Sequence, residues 1–188
     1  MRKGFTVIEL IIFIAAGALV LSVIAEIMII QLRVGERSGA RADIERSAAT
    51  GLEAMRKEIQ SAKNVIATIV LVGNSYASGP NALVLELPAV DSSGNLISGG
   101  SDFIVFERDA VNSSLLTALT VPFAGSARPQ GTRIIANFVE SLEFRYNKEN
   151  LGETDAIDVT LVTAKTIRGE NLQAITAARV DFRNKPRT

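Results

Sequence analysis

Glu9 is the residue of this chain whose type and position most demand a chemical explanation. It stands at the head of an apolar run. From Leu10 to Ala25 every residue is apolar or small except Ser22; Glu26 interrupts, and Ile27 to Ile30 continue. A carboxylate at the middle of a membrane span costs about 2.5–3.5 kcal/mol on insertion scales, less near an end, so it calls for a partner. Other carboxylates gather in two places. Asp91-Ser92-Ser93-Gly94-Asn95, with Asp102 beyond it, offers oxygen ligands. Calcium takes about six to eight oxygens with several carboxylates among them, so two Asp across a Gly/Ser loop read as a hairpin turn. Glu149, Glu153, Asp155 and Asp158 form a second acidic patch, read as a solvated loop, with a calcium site as its alternative.

The residue types that are missing narrow the chemistry further. The chain has 0 His and 0 Cys. That removes the commonest general acid/base, the commonest metal ligand, thiol nucleophiles and disulfides. A Ser-His-Asp triad cannot be built within this chain. Gly169 has no glycine-rich neighbours to make a phosphate loop. The formal net charge is +0, which gives no electrostatic case for nucleic acid. No catalytic residue, cofactor or metal site is expected, and the chain is not expected to be an enzyme.

The element that carries Glu9 is long. A bilayer span needs about 20 residues at about 1.5 Å each, which Phe5 to Ile30 supplies. Arg2 and Lys3 precede it without an acidic partner, so the positive-inside rule puts the amino terminus in the cytoplasm and the carboxyl terminus outside. An ordinary signal peptide, cut after Val23-Ile24-Ala25, is the competing reading. Against it, the apolar run resumes after Ala25, and Glu9 falls where such a segment should be uninterrupted. Glu26 reads as a carboxylate in the outer headgroup zone, where its charge costs little.

The short basic leader followed by Gly4-Phe5-Thr6-Val7-Ile8-Glu9-Leu10 resembles the amino-terminal signal of type IV pilins and type II secretion pseudopilins. The resemblance implies that residues 1–4 are a leader, that a prepilin peptidase cuts after Gly4, and that the new amino group on Phe5 is methylated. It also implies that residues 5–30 stay in the bacterial inner membrane until an assembly platform protein draws the subunit into a filament. Cutting after Gly4 creates a cation at Phe5. In a bundle of apolar helices the Phe5 ammonium of one subunit can meet Glu9 of a neighbour, where low dielectric strengthens the pair and penalises a lone charge. Glu9 would then set axial register, as a buried polar group does in a coiled coil.

Downstream, Ile44, Ala48, Leu52, Met55, Ile59 and Ala62 recur at steps of four and three, one stripe along a helix. Arg41 with Glu45 and Glu53 with Lys57 are spaced as helical neighbours. Residues 31–63 are therefore expected as an amphipathic half laid on a sheet, with Gly35 and Gly39 marking its join to the membrane half. A helix continuous from Phe5 to Ala62 would be about 85 Å long, too long for one small domain to cover.

Residues 64–188 read as an antiparallel β domain. The expected strands are Ile66–Val72, Ala82–Leu87, Asp102–Arg108, Leu115–Val121, Ser141–Tyr146, Ile157–Thr163 and Ala174–Phe182. Gly73-Asn74-Ser75, Ser78-Gly79-Pro80-Asn81, Asp91 to Asn95, Gly99-Gly100-Ser101 and Gly169-Glu170-Asn171 are the expected turns. The fold class is α+β: one long amino-terminal helix packed on a carboxy-terminal antiparallel β domain. Leu52 to Ala62, Val139 to Tyr146, Ile157 to Leu161 and Val180 to Asn184 are similar to J-type pseudopilins and W-type minor pilins. That similarity implies a minor subunit that starts or caps a pilus or pseudopilus, with other pilin or pseudopilin subunits, prepilin peptidase and membrane lipid as partners. A single-span anchored binding protein that never polymerises is the alternative.

Overall fold

A computed structural model describes residues 6–183 of the chain. Gly4 and Phe5, the expected processing site, lie outside the described residues. The chain divides into two compact units, one ending at Ala40 and the other beginning at Arg41. A single helix, α1 (Val7–Ser61), belongs to both. Gly35 and Gly39 do not break it, and apart from the local helix no described atom lies within 4 Å of where a side chain at either would begin.

In the second unit the helix is held by one stripe. Ile44, Ala48, Met55, Ile59 and Ala62 are all fully buried. Leu52, expected on this stripe, is only half-buried; Gly51 takes the place instead. A side chain on Gly51 would begin 2.8 Å from Ala136 Cβ and 3.3 Å from Leu161 Cδ2, so the helix comes nearer to its neighbours than any side chain permits. The periodicity was legible, but this approach was not, because glycine carries no apolar signal. Arg41 and Glu45 pair at 2.8 Å as expected, while Glu53 meets Arg56 at 3.9 Å.

The helix end is fixed by backbone donors rather than by charge. Its last turn has no basic residue. Arg183 donates its N–H to Gln60 O at 3.1 Å, satisfying one of the carbonyls a helix terminus leaves open, and Lys63 donates to Glu86 O at 2.7 Å as the chain joins the sheet.

Ten strands follow: β1 (Asn64–Val65), β2 (Thr68–Leu71), β3 (Asn74–Ala77), β4 (Ala82–Val90), β5 (Leu96–Arg108), β6 (Leu116–Val121), β7 (Gly131–Ala136), β8 (Val139–Tyr146), β9 (Ala156–Ile167) and β10 (Glu170–Asp181). All pairings are antiparallel, in a five-stranded sheet ordered β1-β4-β5-β6-β7, a three-stranded sheet ordered β10-β9-β8 and a hairpin β2-β3. The core joins the helix stripe to Leu83, Leu85, Ile104 and Phe106 of the larger sheet and to Phe144, Val159 and Leu161 of the smaller. A second cluster lies on the other side of β4 and β5, where Leu71 and half-buried Ile69 and Tyr76 of the hairpin cover Val84 and Val105. Cover on both faces explains why Leu83-Val84-Leu85 is a continuous apolar run rather than an alternating one.

Several expected boundaries move. The strand expected at Ile66–Val72 shortens to β2, and β1 is a separate two-residue strand ahead of it. The hairpin turn then falls at Val72-Gly73, both with positive φ (50° and 81°), and Asn74 and Ser75 become strand. Two central residues with positive φ are the geometry that matches strand twist in a two-residue hairpin. Gly99-Gly100-Ser101, expected as a turn, runs inside β5. At Gly100 a side chain would begin 2.9 Å from Phe123 and 3.1 Å from Ala89, so the glycine serves close packing. β7 was not expected at all; its Arg133 and exposed first residues hide the pattern.

Two predictions follow from this packing. Gly51→Ala should raise helix propensity by about 1 kcal/mol yet lower net stability by up to about 2 kcal/mol, since the overpacking it forces costs about 1–3 kcal/mol; denaturant unfolding of the full chain measures the sign. Tyr146 donates its hydroxyl to Gly79 O and Ala82 O at 3.0 and 3.2 Å, and burial pushes its pKa up to about 12. The folded state therefore favours the protonated phenol. This contribution should be complete below about pH 10 and be lost as pH rises toward 12. Ultraviolet titration should detect a late-ionising tyrosine that Tyr146→Phe removes.

Candidate functional site

The amino-terminal helix and its first turn form the candidate site. Thr6 O accepts the first intrahelical bond, from Leu10 N at 3.2 Å. Its Oγ1 accepts from Glu9 N at 3.3 Å, while Thr6 N–H and Oγ1 donate to Glu9 Oε2 at 2.8 and 3.0 Å. This reciprocal Thr-x-x-Glu arrangement is a capping box, in which two otherwise open backbone donors are satisfied. It also answers part of the question raised by Glu9. The carboxylate lies at the positive end of the helix dipole and is bonded within its own chain. The sequence reading looked for its partner at Phe5 and missed Thr6, although Thr followed three residues later by Glu, ahead of an apolar run, is a recognisable capping signal.

The segment beyond the cap has no cover. Ile8, Ile11, Phe13, Ile14, Leu19, Leu21, Met28 and Leu32 are among its exposed apolar residues, with Phe13 76% exposed. α1 holds a window long and apolar enough to cross a membrane, and 0% of that window is buried. Such a window fits a single membrane span or a signal sequence. Glu26 lies exposed on the same helix, a little under five turns beyond Glu9 at about 3.6 residues per turn.

The acidic groups weighed as ligands are engaged separately. Asp91 Oδ1 accepts from Ser93 N and Asn95 N at 2.9 Å each, closing the β4–β5 turn and holding its carboxyl below the usual range. Asp102 is buried and turned elsewhere. In the second patch Glu153 bonds Asn150 Nδ2 at 2.9 Å and Asp155 bonds Asn147. Among the described residues no three or more His, Cys, Asp or Glu side chains gather to hold a metal.

Sequence reasoning also missed a buried ionic cluster. Asp102 accepts from Phe123 N at 2.7 Å and Ser126 Oγ at 2.8 Å, and its Oδ2 lies 2.9 Å from Arg128 Nε. The Nε hydrogen is not directed along that line, so this last contact is Coulombic rather than a made hydrogen bond. Arg128 Nη1 reaches Glu58 Oε2 at 3.1 Å, and Arg133 Nη2 reaches Glu58 Oε1 at 3.2 Å. The cluster pins the β6–β7 loop to α1 and β5. Its two cations and two anions cancel. No local signal marks Glu58 in the sequence, because its arginines lie 70 and 75 residues away. Arg128→Ala should cost about 3–5 kcal/mol, because it strands buried Asp102. Adding Asp102→Asn to it should recover part of that loss, as measured by thermal unfolding.

The architecture is pilin-like: a long apolar amino-terminal helix followed by antiparallel sheets. No protein-family model matches this chain, and no curated protein matches it.

Proposed function

We propose that this chain is a membrane-anchored structural subunit of a type IV pilus or type II secretion pseudopilus, and a minor one of J or W type. The observation that carries this reading is the bare apolar half of α1, headed by Thr6 and Glu9 and continuous in sequence with a helix stripe that a β core buries. An exposed apolar helix of that length must be covered by lipid or by other helices. A helix covered by lipid before assembly and by neighbouring copies afterwards is what a filament subunit requires.

In this reading prepilin peptidase cuts after Gly4 and Phe5 is methylated. The chain crosses the inner membrane once, with its carboxyl terminus outside the cytoplasm, and an assembly platform protein moves it into the filament. Glu9 has two successive partners. Before assembly it closes its own helix start through Thr6, so the membrane-embedded carboxylate is not left bare. On assembly it turns to the Phe5 ammonium of the next subunit and fixes axial register. The role is structural rather than catalytic, and no nucleic acid takes part.

Mass spectrometry of the mature chain tests the processing. A first residue of methyl-phenylalanine at Phe5 is expected; an intact Met1 would favour the anchored binding protein, and a start at Glu26 a soluble exported domain. Glu9→Ala should leave membrane insertion unchanged and lower incorporation into sheared filaments at least tenfold. Incorporation at the wild-type level would remove the register role.

A further inference from the structure

β10 ends the three-stranded sheet. It is 12 residues long and pairs with β9 along its whole length without a bulge. At about 3.3 Å per residue this is an edge of roughly 40 Å. The direction of its outer hydrogen-bonding groups follows from β9. Ala164 donates its N–H to Phe138 O at 2.7 Å, on the side away from β10, and Ala164 is paired with Gln173. In an antiparallel ladder both members of such a pair turn their N–H and C=O outward. Asn171, Gln173, Ile175, Ala177 and Arg179 therefore present theirs along the edge that no other described strand pairs. Ala174 and Phe182 face inward, as shown by Thr163 Oγ1 bonding Ala174 O and by Phe182 N bonding Asp155 O.

Long edges of this kind are normally blunted by proline, lysine, a bulge or shortness. β10 has none of these. Its charges, Glu170, Arg179 and Asp181, stand toward its ends, and Asn171 to Ala178 is uncharged. Ile175, near its middle, is 70% exposed. The five-stranded sheet ends differently, in a β7 half as long that carries Arg133.

We propose that the β10 edge is a subunit–subunit contact, taken by an extended strand of the neighbouring subunit that continues the sheet across the two chains. This rests on the filament reading above. The occupant is set by chemistry: alternating outward N–H and C=O groups are matched only by another extended backbone, and the uncharged middle admits a strand with small or apolar residues opposite Ile175. Two β10 strands do not pair with each other about a two-fold axis. That axis would stand perpendicular to the sheet and reverse the helix packed on it, whereas subunits of one filament share one polarity. The neighbour therefore offers a different strand, in a heterologous contact of the kind that builds open filaments.

The test uses the full-length chain expressed in its native cells, with Ala177→Pro, Ile175→Lys and Glu9→Ala compared for recovery in sheared filaments. Proline at 177 removes an outward donor and spares the bonds to β9, so thermal unfolding should shift little; Thr176→Pro, which removes an inward donor, marks what true misfolding looks like. If Ala177→Pro and Ile175→Lys fold as the wild type does and are recovered at least fivefold less, the edge contact stands. If both fold and assemble at the wild-type level while Glu9→Ala does not assemble, the edge proposal falls and the filament reading survives. If all three variants assemble normally, the edge proposal and the register role of Glu9 fall while the filament reading survives; if the wild-type chain enters no filament, both the edge proposal and the filament reading fall. Should Ala177→Pro misfold, Ile175→Lys alone decides by the same outcomes.

Discussion

The rest of this structure depends on a single imbalance: α1 carries more apolar surface than its own chain can bury. The stripe from Ile44 to Ala62 is matched by sheet residues and disappears into the core. The run from Val7 to Val34 finds no such match and stays open. At about 25 cal/mol per Å² of apolar surface, a helix of that kind cannot remain in water. A run of this length and exposure fits a single membrane span or a signal sequence.

Placed at the head of that apolar run, Glu9 is a conditional residue. Its bonds to Thr6 make it tolerable where an unpaired carboxylate would not be, and they also complete the helix start. The same two oxygens can serve an incoming ammonium in a dry bundle, because exchanging a neutral donor for a charged one strengthens the contact as the dielectric falls. In the proposed filament reading, a cap that can be exchanged for an ion pair would let one side chain serve both the embedded and the assembled states.

The β unit holds a short helical stripe through contacts of several kinds. Gly51 lets the helix approach Ala136 and Leu161 closely, Ser47 exchanges hydrogen bonds with Asn137, and Lys165 reaches both Asp43 at 3.0 Å and the face of Phe138. The Glu58–Arg128–Asp102 cluster fastens the far end of the helix to the loop after β6. These contacts join positions distant in sequence and share no local pattern.

Sequence alone determined whatever depends on local period and composition. The apolar run, the stripe through Ile44 and Met55, the α+β class and most strands were legible because side-chain burial repeats with the backbone period. The amino-terminal Gly4-Phe5 motif stands as a resemblance alone, and the capping partner of Glu9 is present in the sequence as a Thr-x-x-Glu spacing. Tertiary structure decided the remainder. Gly51 and Gly100 mark close approaches, and a missing side chain carries no signal until the atoms opposite it are known. The partners of Glu58, Arg128 and Arg133, are brought to it only by the folded loop after β6 and by β7. Whether β10 was an inner or an edge strand depended on sheet order, which pairing between distant segments sets and no local run of residues encodes.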